Sequence, residues 1–129
     1  MNKKNWMPER RNTLIHLLRE LSSPDLQQRW WINHEDAPNI SGVDQVVHFF
    51  FDDTDLSSNP SAEIGQALLN LSEAEALKPL IDVLDRMITR LGDTTSKRYI
   101  DDSEWSDVVT LARDAAETIS DIESKSVGA

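Results

Sequence analysis

The stretch Pro79-Leu80-Ile81-Asp82-Val83-Leu84-Asp85-Arg86-Met87-Ile88-Thr89-Arg90-Leu91, closed by Gly92, decides the fold. Leu77, Leu80, Ile81, Leu84, Ile88 and Leu91 recur at steps of three and four, which aligns their side chains along one helical face. Asp82 and Asp85 come early while Arg86 and Arg90 come late, the order that the helix dipole favours. Gly92 can adopt the left-handed conformation that ends a helix without a steric penalty. Burying six such side chains is worth about 10 kcal/mol gross, before conformational entropy is subtracted. Trp105, Val108, Val109, Ala112, Ala115, Ala116, Ile119 and Ile122 form a matching stripe further on, so the two helices should pack together.

Upstream, a helix is expected from Pro8 to about Leu21. Leu14, Ile15, Leu17, Leu18 and Leu21 form its apolar stripe, and Glu9, Arg10, Arg11, Arg19 and Glu20 its wet face. Ser22-Ser23-Pro24 ends it, and Ser23 can cap a short helix over 24–30. Trp30 to Ile40 shows neither the helical nor the strand period and reads as an irregular connection. Ser41 offers a cap for a helix over 42–52, although Val46-Val47-His48-Phe49-Phe50-Phe51 is rich enough in β-formers that a strand over 46–51 stays open. Asp52 to Ser61 is a loop by composition, and Ala62 to Leu71 is ambiguous. Ser72 with Glu75 resembles a capping box for the helix through Pro79, where a kink is expected. Asp93 to Asp102 reads as a polar connection, and Ser103 as the cap of the last helix, whose acidic end should fray. The expectation is an all-α fold: an antiparallel helical bundle of four main helices, about 8–22, 42–52, 73–91 and 104–122, plus short helical segments. It should form a single helical domain over 1–129, with 1–6 and 124–129 flexible.

The charge is uneven. The 129 residues carry a net charge of −10, yet residues 1–19 hold five cations against Glu9 alone. Residues 20–85 hold thirteen acids against only Arg29 and Lys78. An acidic middle repels nucleic acid and anionic membrane and attracts a basic partner, although acidic surface also simply keeps a small protein in solution. There is no run of eighteen apolar residues to cross a membrane, and no apolar segment behind the charged N-terminus to make a secretory signal. Cysteine is absent, which removes thiolate nucleophiles, disulfides and zinc–thiolate sites and suits a cytoplasmic location.

Asp52-Asp53-Thr54-Asp55 is the densest carboxylate cluster. Read from Asp53 as a calcium loop, it places Asp55, Ser57 and Asn59 at alternate positions. Ser58 replaces the required glycine, however, and Ile64 stands where a bidentate glutamate belongs. Capping or closing a turn is the simpler use of these acids. His16, His34 and His48 share no ligand spacing, and no phosphate loop, Gly-x-Ser-x-Gly or His-Glu-x-x-His occurs. No metal or cofactor site and no enzymatic activity is therefore expected. Of the adjacent Trp30 and Trp31, one should lie in the core and the other can reach the surface, with Trp31 the candidate anchor for a protein partner.

The segments Leu18-Arg19-Glu20-Leu21-Ser22-Ser23-Pro24-Asp25-Leu26-Gln27-Gln28-Arg29-Trp30 and His48-Phe49-Phe50-Phe51-Asp52-Asp53-Thr54-Asp55-Leu56, with Ile64-Gly65 following, resemble those of a family of small, acidic, uncharacterised bacterial proteins. That likeness spans roughly residues 10–120 and brings no catalytic residues with it. In size, charge and lack of motifs the chain also resembles immunity proteins of contact-dependent or other polymorphic toxin systems. The implied function is a non-enzymatic binding module for a basic protein, such as a nuclease toxin domain, with Trp31, Glu35, Asp36, Asp52, Asp53 and Asp55 at the interface. The alternatives are a metal-dependent hydrolase using Asp52, Asp53, Asp55 and His48, or a subunit of a larger assembly; a homodimer is a further option.

Overall fold

The computed structural model describes residues 8–38 and 42–128. Residues 1–7, 39–41 and 129 lie outside the described residues, and with them the expected flexibility of 1–6 and the expected Ser41 cap. The fold is all-α. Helix α1 (Pro8–Leu21) opens on its proline and buries Leu14, Leu17, Leu18 and Leu21. The Ser23 hydroxyl accepts the Leu26 amide at 3.2 Å and so caps α2 (Pro24–Leu26). The chain then continues as a π-helical stretch, Gln27–Ile32. Helix α3 (Val43–Val47) likewise runs on as a π-helical stretch, His48–Asp53. The phenylalanine triplet is therefore helical, and among the described residues the nearest thing to a sheet is one isolated bridge between Ile64 and Leu68.

Helix α4 (Leu71–Leu91) starts earlier than the sequence suggested. The Asn70 side chain accepts the Glu73 amide at 3.1 Å, so Asn70 takes the capping place expected of Ser72. The helix passes through Pro79 as one element. Glu75 and Pro79 are both exposed, so the carbonyl that loses its amide partner can be solvated by water. Gly92, at φ 72°, ends α4 and donates its amide to Ile88 at 2.9 Å. The polar connection expected over 93–102 contains a short helix, α5 (Ser96–Ile100), capped by the Thr95 hydroxyl and anchored by buried Tyr99.

Helix α6 (Trp105–Gly128) outruns its expected end. Near that end the Glu123 carboxylate meets Arg11 of α1 at 3.3 Å. At its start, the Asp102 carboxylate rather than Ser103 accepts the Glu104 amide, at 3.0 Å.

Cross-links set the directions of the long helices. Arg11 near the start of α1 meets Glu73 near the start of α4 and Glu123 near the end of α6. Arg113 of α6 donates to the Ser22 carbonyl just beyond α1, and Arg86 and Arg90 of α4 bind Glu104 at the head of α6. Helix α6 therefore runs antiparallel to both α1 and α4 and packs against each. The core between them is one continuous cluster that includes Leu14, Leu18, Phe50, Leu77, Leu80, Leu84, Met87, Val108 and Ala112.

Candidate functional site

The chain's acids fall into two populations. On α1, Arg10 donates to both carboxylate oxygens of buried Glu63 at 3.1 Å, and Glu63 in turn accepts the Asp55 amide at 2.8 Å. Arg11, expected on the wet face, is buried. It forks onto Glu73 at 2.8 and 2.9 Å and reaches the Ala67 carbonyl at 3.0 Å. Glu73 also accepts the Leu69 amide. Two α1 arginines thus strap down residues 55–73, whose helical content before α4 is a single 3₁₀ turn, Pro60–Glu63. At the opposite end, the Asp102 carboxyl is held well below the usual carboxylate range and that of Glu104 is lowered, each first by hydrogen bonds from Arg90.

Glu20 is a second correction to the α1 wet face, because it is fully buried. Its carboxylate accepts the Trp31 indole N–H at 2.6 Å and lies 2.6 Å from His16 Nε2. Burial pushes its carboxyl upward, opposed by the Trp31 hydrogen bond and the nearby His16. This corrects the expectation for Trp31. Only 5 % exposed, it packs edge-on against Trp105 with ring centroids 5.9 Å apart, so it offers no anchor to a partner. The half-buried indole at the surface is Trp30, stacked on His16 at 6.2 Å.

The second population is exposed. Glu35 and Asp36 sit on the loop after the first π-helical stretch, where His34 and Asp36 both adopt positive φ, 58° and 51°. The Glu35 amide bonds back to the Arg29 carbonyl at 2.8 Å, which fixes the loop. Asp52 and Asp53 end the second π-helical stretch, and Asp55 follows it. Of these five acids, only Asp52 has an ion-pair partner among the described residues, His48 at 2.8 Å. Both members of that pair are exposed. Among the described residues, no three His, Cys, Asp or Glu side chains cluster where they could hold a metal ion.

Sequence reading missed Asp44, Asp93 and Tyr99, which line one cleft between α3 and the α4–α5 turn. Asp44 and Asp93 lie 49 positions apart, and only the return of the chain through Gly92 brings them to one cleft. The one sequence signal was the chain's single tyrosine, lying within a polar run. A larger groove, about 680 Å³, lies between α1 and α6 over Ile15, Leu18, Ala116 and Ile119. Ile15, expected in the core stripe, is 37 % exposed there.

The site and fold define a helical, acid-surfaced protein with its aromatic side chains turned mostly inward. The chain belongs to the family described as a domain of unknown function, DUF7945, whose model matches residues 5–126. No curated protein and no solved structure matches it. No helix among the described residues is long and apolar enough to cross a membrane.

Proposed function

We propose that the chain is a non-enzymatic binding module that covers the cationic surface of a basic protein, in the manner of an immunity protein masking a nuclease toxin domain. One observation carries this reading. Glu35, Asp36, Asp53 and Asp55 are exposed without an ion-pair partner among the described residues, while Glu63, Glu73, Asp102 and Glu104 are each matched to an arginine. Carboxylates left exposed without cations raise the rate at which a positive partner finds the surfaces that carry them, and favour the orientation in which opposite charges meet. Trp30 supplies aromatic contact area beside the Glu35–Asp36 loop.

The experiment is stopped-flow association with the product of the reading frame adjacent to the gene, at low and high salt. The variant Glu35→Gln/Asp36→Asn/Asp53→Asn/Asp55→Asn should associate about tenfold or more slowly at low salt and lose most of its salt dependence. A partner that binds this variant at the wild-type rate, or a neighbouring product that is itself acidic and does not bind, would overturn the reading.

A further inference from the structure

The cleft between α3 and the turn after α4 encloses about 350 Å³. Val43, Val47, Ile88 and the Tyr99 ring give it apolar walls, and Asp44 and Asp93 bring charge to it. Its walls are pinned by hydrogen bonds. The Ser96 hydroxyl of α5 accepts the Val43 amide at 3.1 Å, and the Tyr99 hydroxyl donates to the Gly92 carbonyl at 2.7 Å. The cleft is thus held open by the fold rather than formed on demand.

Neither Asp44 nor Asp93 has an ion-pair partner among the described residues, and the one imidazole at the cleft, His48, is held by Asp52 at 2.8 Å. Both carboxylates act on one phenol. The Tyr99 hydroxyl is pushed above its ordinary pKa, first by burial, then by the negative charges of Asp93 and Asp44. Two carboxylates lining one small, partly apolar cleft suit a ligand with a cationic head and an aliphatic stem. A planar guanidinium has five donors, enough to bond two carboxylates at once, which an ammonium serves less well.

We propose that this cleft receives one arginine side chain projecting from the basic partner, its stem against Val47 and Ile88 and its guanidinium between Asp44 and Asp93. This rests on the binding-module reading and adds to it a subsite outside the acids named there.

The test is amide-resolved NMR of the full chain, titrated with the peptide acetyl-Gly-Arg-Gly-amide and, in parallel, with its citrulline and lysine counterparts. Saturable shifts are expected at Val47, Ile88, Thr94 and Tyr99 at about millimolar arginine peptide. The neutral citrulline peptide should give none, and the lysine peptide should bind more weakly. Asp44→Asn/Asp93→Asn should weaken the arginine peptide about tenfold or more, with the dispersion of the same spectra showing that the fold is retained. Equal binding of the citrulline or lysine peptide would overturn the proposal. So would shifts centred on the α1–α6 groove or spread evenly over the acidic surface. Should the cleft fail while association with the protein partner still depends on Glu35, Asp36, Asp53 and Asp55, only the subsite falls and the binding module stands.

Discussion

On the α1 side of the molecule, Glu63 and Glu73 are buried, and each takes an arginine together with a backbone amide from an otherwise irregular segment. Across residues 35–55 the same kind of side chain stands in solvent, and only Asp52 has an ion-pair partner, the imidazole of His48, among the described residues. The difference lies in what each carboxylate must offset. A buried one is tolerable only with its charge matched and its lone pairs occupied, so it becomes a fastening. An exposed one contributes little to stability and is left free to meet another molecule.

The largest effect should come from breaking a fastening. Arg11→Met leaves Glu73 charged and unpaired in the interior, and is expected to destabilise the fold by about 3–5 kcal/mol in urea unfolding. Adding Glu73→Gln, which removes the stranded charge but keeps an acceptor for the Leu69 amide, should recover most of that loss. If Arg11→Met alone changed stability by less than about 1 kcal/mol, the strap over residues 55–73 would not be structural.

A smaller effect is expected at Glu20. Glu20→Ala strands the buried Trp31 indole N–H and should cost about 1–3 kcal/mol. Glu20→Gln keeps an acceptor there and isolates the charge. Burial raises the folded-state pKa of Glu20 above its ordinary value of 4.5, so the folded chain holds this proton more tightly than the unfolded chain does. The associated stability is fully present below that ordinary value and fades as pH rises through the raised one. Urea midpoints measured between about pH 4 and 8 should therefore fall less for Glu20→Gln than for wild type as pH increases.

These contrasts also show what was legible in the sequence. The stripes of α4 and α6 were readable because a 3.6-residue period with one buried face leaves a strong pattern, and Leu77, Leu80, Leu84, Val108 and Ala112 are all buried as that pattern requires. The period failed at Trp30-Trp31 and Phe49-Phe50-Phe51, where the chain is π-helical and its i→i+5 bonds change the register. Helix α5 was invisible because Tyr99 and Ile100 are its only apolar residues. Arg11 and Glu20 looked solvated because the local pattern says nothing of partners. Glu73 lies 62 residues from Arg11, and the Trp31 indole 11 residues from Glu20. The same limit put Trp31 at the surface in place of Trp30 and concealed that Asp44 and Asp93 line one cleft. The exposed acids were readable from composition alone, because an unpaired carboxylate stays in water.

The smallest effect on stability is expected where the contrast is sharpest, and it tests the division of labour most directly. Urea unfolding of Glu35→Gln/Asp36→Asn/Asp53→Asn/Asp55→Asn at low ionic strength should give a stability equal to or slightly above wild type, with each change within about 0.5 kcal/mol and mutual repulsion relieved. A loss of about 2 kcal/mol or more would show that these carboxylates hold the fold together as Glu63 and Glu73 do, and the distinction between fastening acids and free acids would collapse.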